Sequence, residues 1–266
     1  MNHYEMPLVL FTVLCQSAIG LVAVNAFRQV SGPDMEPRRI RLEWLAAGLV
    51  LITGLIASVF HLGHPSGMVR ALNNLGTAWL SREALTVGIF LALLAAGLLL
   101  MREKSNPVLA VTTAAAGLLV ILSMGMTYSP PSFPAINNVL PFVFFCLTAL
   151  LLGSSAGQLF ANENSRPMMT RILTATLIVA LVIYLIVPCI WLSGGEIMKL
   201  TAEQWLASPL YWGRIIIGLA LPLVLIKALG KTPAWLWGLL LAGELMGRAL
   251  FFAGTVHTAV NMGGVY

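Results

Sequence analysis

Eight apolar runs, each about as long as a bilayer is thick, decide what this chain folds into. They cover Met6–Phe27, Trp44–Leu62, Arg82–Met101, Pro107–Tyr128, Val139–Phe160, Thr170–Leu192, Trp212–Lys227 and Pro233–Phe252. A spanning helix needs about 20 mainly apolar residues. In hydrocarbon every backbone N–H and C=O must be satisfied internally, so such runs become helices. Turn-forming segments separate them: SGPDMEPRRIR after the first, SPPSFP after the fourth, ENSRP after the fifth. Only 9% of the 266 residues are charged and 59% are hydrophobic, where soluble domains carry about 25% charged residues. A soluble enzyme, a disordered tail and a nucleic-acid binder are thereby excluded. The expectation is an all-α fold, an integral membrane bundle of eight transmembrane helices forming one domain over residues 1–266. Pro188 and Pro222 fall inside spans and are expected to kink them. The first run has no Lys or Arg ahead of it and is too long for a signal-peptide core, so it is expected to remain as a helix.

The cationic residues orient the bundle. Arg28, Arg38, Arg39 and Arg41 fall at the first connection, Arg102 and Lys104 at the third, Arg166 and Arg171 at the fifth, and Lys227 and Lys231 at the seventh. The other side holds Arg70, Arg82, Lys199 and Arg214, and Arg248 lies within a span. Cytoplasmic loops retain Lys and Arg, which places the odd connections in the cytoplasm and both termini on the periplasmic side. The net charge of +5 has the same origin. Apart from the first, the cytoplasmic connections are short, while the periplasmic side carries the loops Gly63–Ser81, Ser129–Asn138 and Ser193–Tyr211; Trp79, Trp191, Trp205, Tyr211 and Trp212 gather there, as an interfacial belt would.

The three cysteines, Cys15, Cys146 and Cys189, are isolated in apolar runs and read as small buried hydrophobes. No CxxC spacing points to a metal or dithiol site. Ionisable groups inside spans are costly and mark function by default; here they are His61, His64, Arg82, Glu83, Glu244, Arg248 and, near the last span, His257. His61 closes the second span, either as a ring that satisfies freed helix-end carbonyls or as a proton acceptor. Glu83 opens the third span at the same depth, either as a helix-end dipole partner or as a base. Arg82, about 100° away around the helix, reads as an interface anchor. Glu244 and Arg248 are four residues apart and so share a helix face on which they are expected to pair. Counted from Pro233, Glu244 falls near mid-bilayer and Arg248 farther outward. Gly243 and Gly247 bracket them at a spacing that lets a neighbouring helix approach closely. The pair either fixes packing or lines a polar pocket. Oxidising a hydroquinone needs such a set: an apolar crevice, hydrogen-bond partners for the ring oxygens and acceptors for two protons. A proton-coupled transporter would need similar groups.

From His61 to Leu85 the chain reads HLGHPSGMVRALNNLGTAWLSREAL. This stretch resembles the DmsC-type membrane anchor family of dimethyl sulfoxide reductase, with its HLG-x-P turn, R-A-x-N-x-LG run and L-S-x-E helix start. Leu240–Phe252, LLAGELMGRALFF, is similar to the family's AGE-x-x-GR signature, and EMPLVLFTVLCQSAIG to its opening, with Met6 in place of a tryptophan. The resemblance implies the non-catalytic anchor of a three-part molybdoenzyme in the bacterial inner membrane. Its implied partners, on the periplasmic face, are a molybdopterin catalytic subunit and an electron-transfer subunit with four 4Fe–4S clusters. The implied activity is to bind and oxidise menaquinol during anaerobic respiration and pass its electrons to the nearest cluster, with no haem and no metal in this chain. Carried over by motif, His61 and Glu83 are the catalytic candidates, and Arg70, Asn73, Glu244 and Arg248 further quinol-binding candidates. His64 stands where a small residue is commoner, so no role carries to it.

Two other functions compete. A haem-b anchor needs paired histidines on facing helices at matched depth, for which only His61 and His257 are available by position. A proton-coupled transporter needs polar groups at the midplane, where only Glu244 clearly lies.

Overall fold

Proline and small polar residues set the helix starts. Pro37, Pro107 and Pro209 are first residues of helices, where the missing N–H costs nothing. Asn106 caps one of them, its side chain accepting from the Leu109 N–H at 3.0 Å. The computed structural model describes residues 5–31, 36–60, 65–100 and 105–262, and the regular elements among them are all helical. Spans are α1 (Met6–Ser31), α2 (Pro37–Val59), α3 (Trp79–Leu100), α4 (Pro107–Thr127), α5 (Leu140–Gly157) and α6 (Arg166–Leu192). A short helix α7 (Glu196–Ala207) follows. The seventh span, Pro209–Leu229, joins α8 (Pro209–Ile215) to α9 (Leu221–Leu229) through a widened turn at Ile216–Ala220, and α10 (Leu236–Ala253) is the eighth.

All eight expected spans are present. Several helices run on past the apolar stretch, α2 starting at Pro37 and α6 at Arg166, because charged residues continue a helix outside hydrocarbon at little cost. α6 stays helical through Pro188, while the widened turn sits just ahead of Pro222, whose ring would crowd a regular turn there. Eight crossings put both chain ends on one side. The side carrying the termini and the even connections is called the terminal end here, and the other the basic end.

α1 and α5 form the centre and α3 the periphery: 78% and 72% of their most apolar windows are buried, against 28%. α1 contacts α2, α4, α5 and α10. Outward faces carry exposed Leu, Val and Ile along α2, α3, α4, α6 and α9, which suits lipid and not water. The central crossing depends on glycine. A Cβ on Gly20 would lie 1.9 Å from the Ala149 carbonyl oxygen, and one on Gly153 2.2 Å from the Gly20 carbonyl carbon. Gly20→Leu is therefore expected to remove most of the protein from the membrane fraction, as seen by quantitative blotting, whereas Gly88→Leu, with open space around it, should leave its level unchanged.

Three sequence expectations need correction. The connection Ser193–Tyr211 is not a plain loop, since α7 occupies most of it. Trp191, Trp205 and Tyr211 are core residues and not a belt: each is at most 1% exposed, with Trp205 edge-on to Trp191 at 4.8 Å and stacked near Tyr184 at 6.3 Å. Among the cysteines only Cys15 is buried, and Cys189 is exposed on the outer face of α6.

Candidate functional site

Glu83 lies in the second turn of α3 and is 4% exposed. Its carboxylate turns inward to α4, where the Thr127 side chain hydrogen-bonds to it, and not back to the N–H groups of its own helix. Its Oε2 is buried with no hydrogen-bond partner among the described residues. One turn on, Thr86 and Ser123 join α3 to α4 through their hydroxyls at 2.9 Å. Arg82 points the other way. Its guanidinium donates to the Leu75 and Gly76 carbonyls at 2.9 and 2.8 Å and stacks on Trp79 at 4.2 Å, the interface anchor expected of it.

Tyr128, just beyond α4, was not singled out by sequence. Burial pushes its phenol well up from the usual range; Glu83 adds to the effect and Arg248 opposes it, so both charges act at this hydroxyl. Its ring meets Phe145 and Phe252 edge-on at 6.0 and 5.3 Å. Phe145 in turn carries the Arg248 guanidinium 4.0 Å from its ring centre. Tyr128, Phe145 and Arg248 thus form one continuous line of contacts leading inward from the end of α4.

The second polar group is deeper. Glu244 and Arg248 share a face of α10, as their spacing requires, yet they do not pair with each other. The partner of Glu244 is Arg214 of α8, at 2.5 Å, with exposures of 3% and 1%. The Thr148 hydroxyl of α5 stands between, donating to Glu244 Oε2 at 2.7 Å and accepting from Arg248 at 3.0 Å. Arg248 also donates to Gln16 Oε1 on α1 at 2.7 Å. Close helix approach explains the exchange of partners. A Cβ on Gly243 would fall 2.2 Å from Gly218 Cα, so the seventh span lies against α10 and delivers Arg214. Arg214, read from sequence as a surface charge, is a core residue over the Tyr184 ring at 5.0 Å.

Of the remaining candidates, His61 lies outside the described residues, as does His64. Arg70 and Asn73 are exposed on a 3-10 stretch, Pro65–Asn74, that packs on α3; neither bonds to Glu83, Glu244 or Arg248. His257 is exposed beyond α10, its ring edge-on to Phe133 at 4.9 Å and its Nδ1 accepting from the Ala259 N–H.

Residues 1–254 match the model of the DMSO reductase anchor subunit (DmsC) family. The chain belongs to that family. Among curated relatives, the C subunit of the anaerobic dimethyl sulfoxide reductase of Escherichia coli is 30% identical over 284 residues, 97% of each protein. Its counterpart of the same name in Haemophilus influenzae is 35% identical over 169 residues, 61% of each. The YnfH subunit of an anaerobic dimethyl sulfoxide reductase of Escherichia coli is 27% identical over 281 residues, again 97% of each. The resemblance carried by His61–Leu85 and Leu240–Phe252 is borne out across nearly the whole length.

This DmsC-family protein has a third buried group, near the basic end, which sequence reading missed. Arg28 of α1 pairs with Glu43 of α2, and their side chains are 0% and 1% exposed. Asn25 donates to the same carboxylate at 2.5 Å and accepts from Trp44 Nε1 at 2.9 Å. By sequence Arg28 belongs to the first connection; the structure draws it into the core. The available signal was Asn25 and Arg28 on one helix face, three apart, opposite Glu43–Trp44 at the edge of the next run. With Arg28 and Arg214 placed inside, the bias persists among the described residues: Arg70, Arg82 and Lys199 remain at the terminal end against seven cations, Arg38, Arg39, Arg41, Arg166, Arg171, Lys227 and Lys231, at the basic end.

Proposed function

We propose that this chain is the membrane subunit that binds menaquinol at the terminal end, oxidises it, and hands the electrons to an iron–sulfur subunit docked on that face. A molybdopterin catalytic subunit lies beyond it, and the basic end faces the cytoplasm of a bacterial inner membrane. The observation that carries the reading is Glu83. It is a buried carboxylate beside Thr127, its Oε2 without a hydrogen-bond partner among the described residues, and its charge acts at the Tyr128 phenol, whose ring meets Phe145 and Phe252.

A hydroquinone loses two electrons and two protons. Glu83 is placed to take a ring-hydroxyl proton at Oε2 while Thr127 holds its other oxygen. Tyr128 supplies a hydrogen bond to a ring oxygen, and the aromatic wall receives the apolar ring. His61, assigned by family motif, is the second proton acceptor. The Arg248–Thr148–Glu244 cluster holds the inner limit of the pocket in place. Arg70 and Asn73 belong to its mouth.

Glu83→Gln tests this in the assembled complex. The amide keeps a polar contact but takes no proton, so menaquinol-driven turnover should fall at least about 100-fold. Turnover driven by a reduced dye that feeds the catalytic subunit directly should not change. His61→Ala should behave in the same way. Menaquinol-driven turnover at the parent level in Glu83→Gln would reduce Glu83 to a packing residue and remove the basis of the reading.

A further inference from the structure

At the basic end the α5–α6 connection, the first turns of α6 and the α9–α10 connection enclose an open cleft of about 760 Å³. Arg166, Arg171 and Lys231 line it, with Glu163, Thr170 and Thr232. The three cations are exposed, and among the described residues none is in an ion pair. The walls are tied together. The Thr170 and Thr232 hydroxyls meet at 3.0 Å, and Gln158, 5% exposed, donates to Thr170 at 3.0 Å and to the Arg166 carbonyl at 3.4 Å. Gly230, in the left-handed conformation at φ 64°, ends α9 and turns the backbone so that Lys231 enters the cleft wall. Leu159, Leu229 and Trp235 are exposed on and beside its rim.

We propose that this cleft binds the headgroup of an anionic phospholipid, with Arg166, Arg171 and Lys231 around the phosphodiester. Three unpaired cations favour an anion, and they stand where the spans end, at headgroup level. The single acid, Glu163, disfavours a second negative charge and so selects a monoanionic diester over a dianionic phosphate. The exposed Leu and Trp side chains offer the acyl chains a surface that a free ion would not use.

The test uses the full-length protein in mild detergent, with retained lipid read by native mass spectrometry. Phosphatidylglycerol should be retained in preference to phosphatidylcholine. Each basic residue near an anionic headgroup is worth about fivefold, so Arg171→Gln/Lys231→Gln should weaken retention about 25-fold. The charge-conserving Arg171→Lys/Lys231→Arg should keep it. Arg38→Gln/Arg41→Gln removes the same charge from the same end, outside the cleft, and should have little effect. Equal retention of the two lipids, or equal loss in the Arg38/Arg41 variant, would overturn the cleft as a built site. Displacement of the lipid by an equal concentration of inorganic phosphate would reassign it to a free anion.

Discussion

Glu244→Ala is expected to remove most of the folded protein from the membrane, and Glu244→Leu/Arg214→Met to restore it. The single change leaves the Arg214 guanidinium, 1% exposed, with no carboxylate; the Tyr184 ring at 5.0 Å compensates only a part. Breaking one partner of a buried ion pair costs about 3–5 kcal/mol, whereas replacing both by apolar groups of similar volume is often neutral. Against a total stability of about 5–15 kcal/mol, the single change is severe. The pairing also separates two arrangements that spacing alone does not. Glu244→Leu/Arg248→Met should be no better than Glu244→Ala, because Arg248 is held by Gln16 and Thr148 and Arg214 is still stranded. Membrane-fraction levels and thermal melting in detergent of the three variants measure this. Rescue by the Arg248 combination in place of the Arg214 one would overturn the observed pairing.

That outcome turns on what spacing reveals. Four residues between Glu244 and Arg248 specify a shared face, and Gly243 with Gly247 specify that something comes close to it; both were legible. Which helix arrives is a long-range fact. The glycine that admits it, Gly218, and the cation it brings, Arg214, sit in the shortest of the eight runs. Hydropathy starts that run at Trp212, and the helix starts at Pro209. The shift is about one turn, and it is the difference between a surface charge and a core charge. Glu43 was lost in the same way, outside a run drawn from Trp44 in a helix that begins at Pro37. Thr148 and Tyr128 carry no formal charge and gave no signal. Gly20 and Gly153 are single glycines in separate runs, informative only once their helices are known to cross. Glu83 was legible because a charge at the start of an apolar run has few alternatives, though its partner on α4 was not.

Turnover of the assembled complex in sealed vesicles, with menaquinol and acceptor, is expected to build no membrane potential. In the proposed function, with Glu83 and Tyr128 at the terminal end and the electron-accepting subunit docked on the same face, protons and electrons leave on one side. A potential would require protons to reach the basic end through about 30 Å of hydrocarbon. The buried polar groups run part of the way. Arg248 meets Gln16 on α1, and Asn25, Arg28 and Glu43 lie nearer the basic end. Between Gln16 and Asn25, however, α1 advances about 13 Å with Ser17 as its only polar side chain. That interval holds the Gly20–Gly153 crossing, where the backbones leave no room for even a methyl group and hence none for water. Ser154 and Ser155 on the facing helix spend their hydroxyls on their own helix's carbonyls. Glu244 and Glu43, the buried carboxylates beyond Glu83, are each held by an arginine, and moving a proton through either would break a buried pair at a cost of about 3–5 kcal/mol. A voltage-sensitive dye should therefore report no change during turnover. A potential that grows with turnover and collapses with an uncoupler would mean that the α1–α5 crossing opens, or that the quinol is oxidised at the basic end beside Arg28 and Glu43.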